Sequence, residues 1–145
     1  MTTLLHLPPR ADAPIACDMS TAPDTPEERL AEYGELFARA LLGRERREDA
    51  VVLSFGADAR DQVEDLARRE HACCPFVDHR VEIAGEMVLW TVTNTVEDHR
   101  PAVDVMLDDL HDLPEHAGAD IDGYLARLAE RGVDFVRTAS GFQLR

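Results

Sequence analysis

The chain reads as an α+β protein on three observations. "AVVLSF" (50–55) is a compact apolar strand run followed by residues at helical spacing. "FVDHRVEIAGEMVLWTVTN" (76–94) alternates and then turns at Ala84-Gly85-Glu86, the pattern of a hairpin. Two further helical stretches and a closing strand run come after it. This order contains βαββαβ, the ferredoxin-like split motif, in which helices lie on one face of an antiparallel sheet. An extended N-terminal arm (1–24) and a helix precede it, and 25–145 reads as a single α+β domain. The 145 residues, 45% of them hydrophobic, suffice for one core.

Each element has a local reason. Pro8, Pro9, Pro14 and Pro23 exclude a long helix from the arm, where "PIACDM" forms a small apolar island around Cys17. Thr25 is placed to cap the first helix, with Pro26 in its first turn and Glu27 and Glu28 at the positive end of its dipole. Leu30, Tyr33, Leu36, Phe37, Ala40 and Leu41 make its apolar stripe, and Gly43 is the expected stop. Asp58 is the expected cap of the second helix, which Pro75 should fray near Cys73 or Cys74. "MVLWTV" is apolar at nearly every position, so it belongs at the sheet's centre with Trp90 buried. Val103, Met106, Leu107 and Leu110 mark a helix after Pro101; "PEHAGAD" (114–120) reads as a loop. A last helix ends at Gly132, and the chain closes with a strand or a hairpin turning at Ser140-Gly141.

Composition excludes several functions. The net charge is −14 and every basic residue is arginine, so the surface repels nucleic-acid backbones and anionic membranes. No apolar run approaches the roughly 20 residues of a membrane span, and the N-terminus lacks the basic region of a signal peptide. A cytoplasmic protein is expected, with a homodimer plausible through an open sheet face. Three cysteines are an odd count, which in that compartment argues against a structural disulfide framework. P-loop, glycine-rich dinucleotide and nucleophile-elbow patterns are missing from the sequence. His99, His111 and His116 stand among acidic residues, as on a solvated face.

The chemistry concentrates in "REHACCPFVDH" (69–79). Adjacent thiolates suit soft ions: zinc, copper(I), mercury or trivalent arsenic. Consecutive helical residues point about 100° apart, and Pro75 relieves this by releasing Cys74 from helical geometry. Glu70 and His71 lie within one turn, His79 opens the next strand, and Cys17 on its arm is a possible third sulfur. The candidate metal ligands are therefore Cys17, Cys73, Cys74, His71, Glu70 and His79. Against this stands inert packing: free cysteine is commonly buried, and a helix C-terminus disfavours a thiolate.

"LARREHACCPFVDHRVEI", together with the upstream "IAC" ending at Cys17, resembles a recurring segment in small bacterial proteins of largely unassigned function. Their helix ends Glu-x-x-Cys-Cys-Pro-Phe, matched by Glu70, Cys73, Cys74, Pro75 and Phe76. The resemblance covers roughly residues 14–110. Similar segments are attached to metal-responsive regulators of the mercury-resistance type, which implies thiol-mediated metal or metalloid binding, for sequestration or sensing. His79 and the C-terminal helix and strand depart from the pattern.

Two other readings stay open. Cys74-Pro75, with His71 or His79 opposite, is a haem-ligand pattern and with it a metal- or haem-dependent redox or small-molecule enzyme. The cysteines could also form a disulfide, vicinal or to Cys17, or be structural in a ligand-free dimerising module.

Overall fold

The computed structural model describes residues 1–10, 12–116 and 120–145. Among these, eight strands and four α-helices form two antiparallel sheets with the helices packed against them. The strands are β1 (Thr2–Leu7), β2 (Ala16–Asp18), β3 (Leu41–Arg46), β4 (Ala50–Gly56), β5 (Asp78–Ala84), β6 (Met87–Thr93), β7 (Phe135–Arg137) and β8 (Gly141–Leu144). The helices are α1 (Pro26–Ala40), α2 (Arg60–Cys73), α3 (Ala102–Asp112) and α4 (Ile121–Glu130). No helix is long and apolar enough to cross a membrane among the described residues.

The larger sheet has the order β1-β5-β6-β4-β3. Its centre is the apolar strand β6, where Trp90 sits between Leu53 of β4 and Val81 of β5. Val51, Leu53, Phe55, Val81, Val88 and Trp90 are fully buried on the helix-covered face. α1 lays Tyr33 on Trp90 (ring centroids 6.0 Å apart) and Phe37 on Phe55 (6.3 Å). On the opposite face Ser54, Arg80, Glu82, Leu89 and Thr91 are half-buried. The period-2 alternation thus converts directly into one buried and one wetter face.

The α+β class and the antiparallel sheet agree with the sequence, and β4, α2, β5 and β6 follow the expected order. The place beside β4 that a βαββαβ sheet gives its last strand is taken by β3. The C-terminal strands instead join the leader in a second sheet, β2-β8-β7. α1 stops at Ala40, and residues 41–43, read as the helix end with its stop at Gly43, instead open β3 (Leu41–Arg46). "LLGRER" pairs with β4 because that strand's edge would otherwise leave its backbone groups unpaired. The leader is also more ordered than an arm: β1 covers the edge of β5, and β2 pairs with β8.

Local signals hold at several ends. Thr25 and Glu28 form a reciprocal capping box at α1. Gly85 turns the β5–β6 hairpin at φ +62, and Gly132 stops α4 at φ +88. Asp58 is not the cap of α2; residues 57–59 form a 3₁₀ turn that leads into the helix without a side-chain cap. The expected loop at 114–120 begins with a 3₁₀ turn over Leu113–His116, and its residues 117–119 lie outside the described residues.

Candidate metal centre

α2 carries its cysteines to the place where the leader crosses the helix end. Cys73 closes the helix, while Cys74 leaves it at φ −129, ψ 67, as Pro75 demands, with its N–H still donating to the Glu70 carbonyl (2.8 Å). The leader is held there by the Arg10 N–H, which donates to the Pro75 carbonyl (2.8 Å), and β2 then brings in Cys17. β2 comes this close to β8 because residue 141 is glycine. A Cβ on Gly141 would lie 1.9 Å from the Cys17 carbonyl oxygen.

The three sulfurs converge. Their Sγ atoms all lie within 4.8 Å of one another. Cys17 and Cys74 are joined as a disulfide, with Cα atoms 4.8 Å apart. Cys73 is the free thiol, 3.6 Å from Cys17 Sγ and 3.5 Å from Cys74 Sγ. All three are nearly buried, at 9%, 3% and 7% exposure for Cys17, Cys73 and Cys74. Of the alternatives left open for the cysteines, the bond to Cys17 is the one formed, a single disulfide with Cys73 left free rather than a framework. The leader is fixed in place, and its sulfur meets Cys74 across 57 residues of sequence.

The surrounding charges set the state of Cys73. Arg29, only 4% exposed, is clamped by Asp24 through Nε (2.6 Å) and Nη2 (2.8 Å). Its Nη1 donates to Glu70 Oε1 (2.7 Å) and lies 3.5 Å from Cys73 Sγ. Burial disfavours the guanidinium charge, but Asp24 and Glu70 outweigh it and hold Arg29 firmly protonated. Arg69 backs this arrangement, pairing with Asp24 and Glu32. The Cys73 thiol is nonetheless pushed up to about 12. Burial is the main cause and the Glu70 charge the next, with Arg29 opposing both. Burial also raises Glu70, with Arg29 again opposing. At neutral pH Cys73 is therefore a protonated thiol, and a metal ion could be held there only by displacing its proton.

The histidines stand apart from the sulfurs. His71 Nε2 donates to the Pro8 carbonyl (2.8 Å), which fastens the leader. His79 is buried on β5, and its Nδ1 accepts from Trp90 Nε1 (3.1 Å). That bond leaves the ring proton on Nε2, which has no partner among the described residues. Burial, then the nearby His71, brings His79 down to about 3, so it is neutral. Of the six expected ligands, the fold gathers Cys17, Cys73 and Cys74. Glu70 adjoins them through Arg29, and His71 and His79 bond elsewhere.

Sequence reasoning missed Arg29 and Asp24, and read Tyr33 only as part of the apolar stripe of α1. The signal for Arg29 was its spacing: it lies four residues before Tyr33 on the face that carries Leu36 and Phe37. A charge on an apolar stripe requires buried partners.

A cavity of about 140 Å³ adjoins the cluster. Cys17 and Cys74 lie in its wall and Cys73 does not. Glu70, Arg29 and Tyr33 line it along with Trp90, His79 and apolar residues of α3. Haem, larger than a drug-sized ligand, does not fit this cavity, since pockets for ligands of even drug size run to about 300–1,000 Å³. No family model, curated protein or solved structure matches the chain.

Proposed function

We propose that the protein binds a thiophilic metal or metalloid ion through Cys17, Cys73 and Cys74, to sequester or sense it. The convergence of three sulfurs from two distant segments of the chain carries this reading. Metal–thiolate bonds of about 2.3 Å that meet at about 100° put sulfurs about 3.5 Å apart. Cys73 already keeps that spacing from both of its neighbours. All-sulfur sites favour soft ions such as mercury(II), copper(I) or trivalent arsenic over hard ones. The Cys-Cys-Pro-Phe segment, which resembles segments attached to regulators of the mercury-resistance type, points to the same class.

The Cys17–Cys74 bond is the closed form of the site. In a reducing compartment, where disulfides are not maintained, it opens and the cluster holds three thiols. Arg29 then offsets part of the negative charge that three thiolates bring together. Uptake by protein prepared without a metal-chelating tag, reduced and offered mercury(II) or arsenite, tests this. One equivalent per chain, lost in Cys73→Ser and Cys74→Ser with the fold intact, is the expected result. Uptake no greater than that of a variant with all three cysteines changed to serine would overturn it.

A further inference from the structure

The cavity beside the cluster narrows the ligand to a class. We infer that the site takes a monosubstituted trivalent arsenical, with arsenic on Cys17 and Cys74 and its organic group in the cavity. This rests on the thiophilic reading above and goes further by naming what the metalloid carries.

Three observations lead there. The cavity wall holds two of the three sulfurs, Cys17 and Cys74, and an arsenic that bears one carbon substituent has two exchangeable positions left. The remaining wall is dominated by apolar side chains, among them Trp90, Val92, Met106, Leu107 and Leu110. A bare ion would leave that wall unused, whereas an apolar substituent gains by leaving water for it. Its volume of about 140 Å³ is that of a single ring, since an apolar cavity of about 150 Å³ binds benzene. Cys73 lies behind the pair, 3.5–3.6 Å from each sulfur. There, with Arg29, it forms the polar floor on which the arsenic rests.

Binding is a ligand exchange without net redox at arsenic. The disulfide is opened first. A trialkylphosphine supplies two electrons and leaves as its oxide with oxygen taken from water, whose two hydrogens complete the two thiols. The hydrated arsenical, with two hydroxyls on arsenic, then loses both As–O bonds as two As–S bonds form. The two thiol protons depart with the hydroxides as two molecules of water.

The test compares phenylarsine oxide with arsenite on phosphine-reduced, desalted protein, with a free dithiol as reference. The phenyl-over-inorganic affinity ratio should exceed that of the free dithiol by ten-fold or more. It should fall back to the free-dithiol value in Met106→Phe and Leu110→Phe, which fill the cavity from partly buried positions on α3. Trp90 emission gives an independent readout, because it is the only tryptophan and lines the cavity. The phenyl compound should change it more than arsenite does, and this holds even if a filled variant fails to fold. Binding of both compounds at the free-dithiol ratio, with equal effects on Trp90, would overturn the inference and leave the three-sulfur reading standing. Binding of neither, beyond the triple serine variant, would overturn both.

Discussion

The two sheets are held by different means. The five-stranded sheet is bound by burial: β4 and β6 place Val51, Leu53, Phe55, Val88 and Trp90 at zero exposure beneath the helices. The three-stranded sheet is built of strands of three, three and four residues, too short to stand on pairing alone. It relies on Phe135 packed edge-to-face on Phe142, on the bare backbone at Gly141 and on the Cys17–Cys74 bond. The candidate site lies where the two meet, so one wall of the site is rigid and the other depends on a reducible bond.

The largest expected effect comes from the rigid side. Trp90→Ala should cost about 3–5 kcal/mol and lower the urea midpoint for both sheets together, since Trp90 supports α1 through Tyr33. A loss below about 1 kcal/mol would show that the larger sheet does not rest on this side chain. Next comes the bond itself. Reduction, or Cys17→Ser, should cost about 2–4 kcal/mol against global unfolding. Amide exchange should then quicken at Cys17 and Phe142 while Leu53 stays slow. Equal acceleration in both sheets would erase the contrast between them.

Gly141→Ala should follow, at about 1–3 kcal/mol, because its Cβ meets backbone that cannot turn aside. Its effect should be confined to β2 and β8 and to the reach of Cys17, visible as slower disulfide formation after reduction. An unchanged rate would mean that β2 does not need so close an approach. The smallest effect is acid weakening of the larger sheet. Burial holds His79 at about 3, against 6.5 for the unperturbed ring. The unfolded chain therefore takes up this proton first as pH falls. The stability is fully present above pH 6.5 and is lost progressively toward pH 3. Between pH 7 and 5 the wild type should lose about 1–2 kcal/mol more than His79→Gln. Parallel pH profiles for the two proteins would remove His79 from this role.

The same contrast explains what could be read from sequence. Elements defined by their own pattern were legible: the α1 cap at Thr25, the apolar strand around Trp90, the hairpin at Gly85, the frayed helix end at Pro75. Elements defined by a partner were not. "LLGRER" has no strand signature of its own and becomes β3 only because β4 offers an open edge. The C-terminal strands pair with the leader rather than with the larger sheet, a choice made by Cys17 and Gly141 together. At the site, Cys73 and Cys74 were visible as neighbours and Cys17 as an apolar island. Their convergence depends on backbone contacts such as Arg10 to Pro75, which no local pattern records.

The bond between Cys17 and Cys74 also governs how the molecule comes apart when its backbone is cut. The bend between β3 and β4 holds Arg47, whose side chain is 57% exposed. A single protease nick after Arg47 would separate Cys17 from Cys74 along the chain and leave them joined through sulfur. The nicked protein would run as one band without reductant and as two with it, so a gel alone would report the oxidation state of the site.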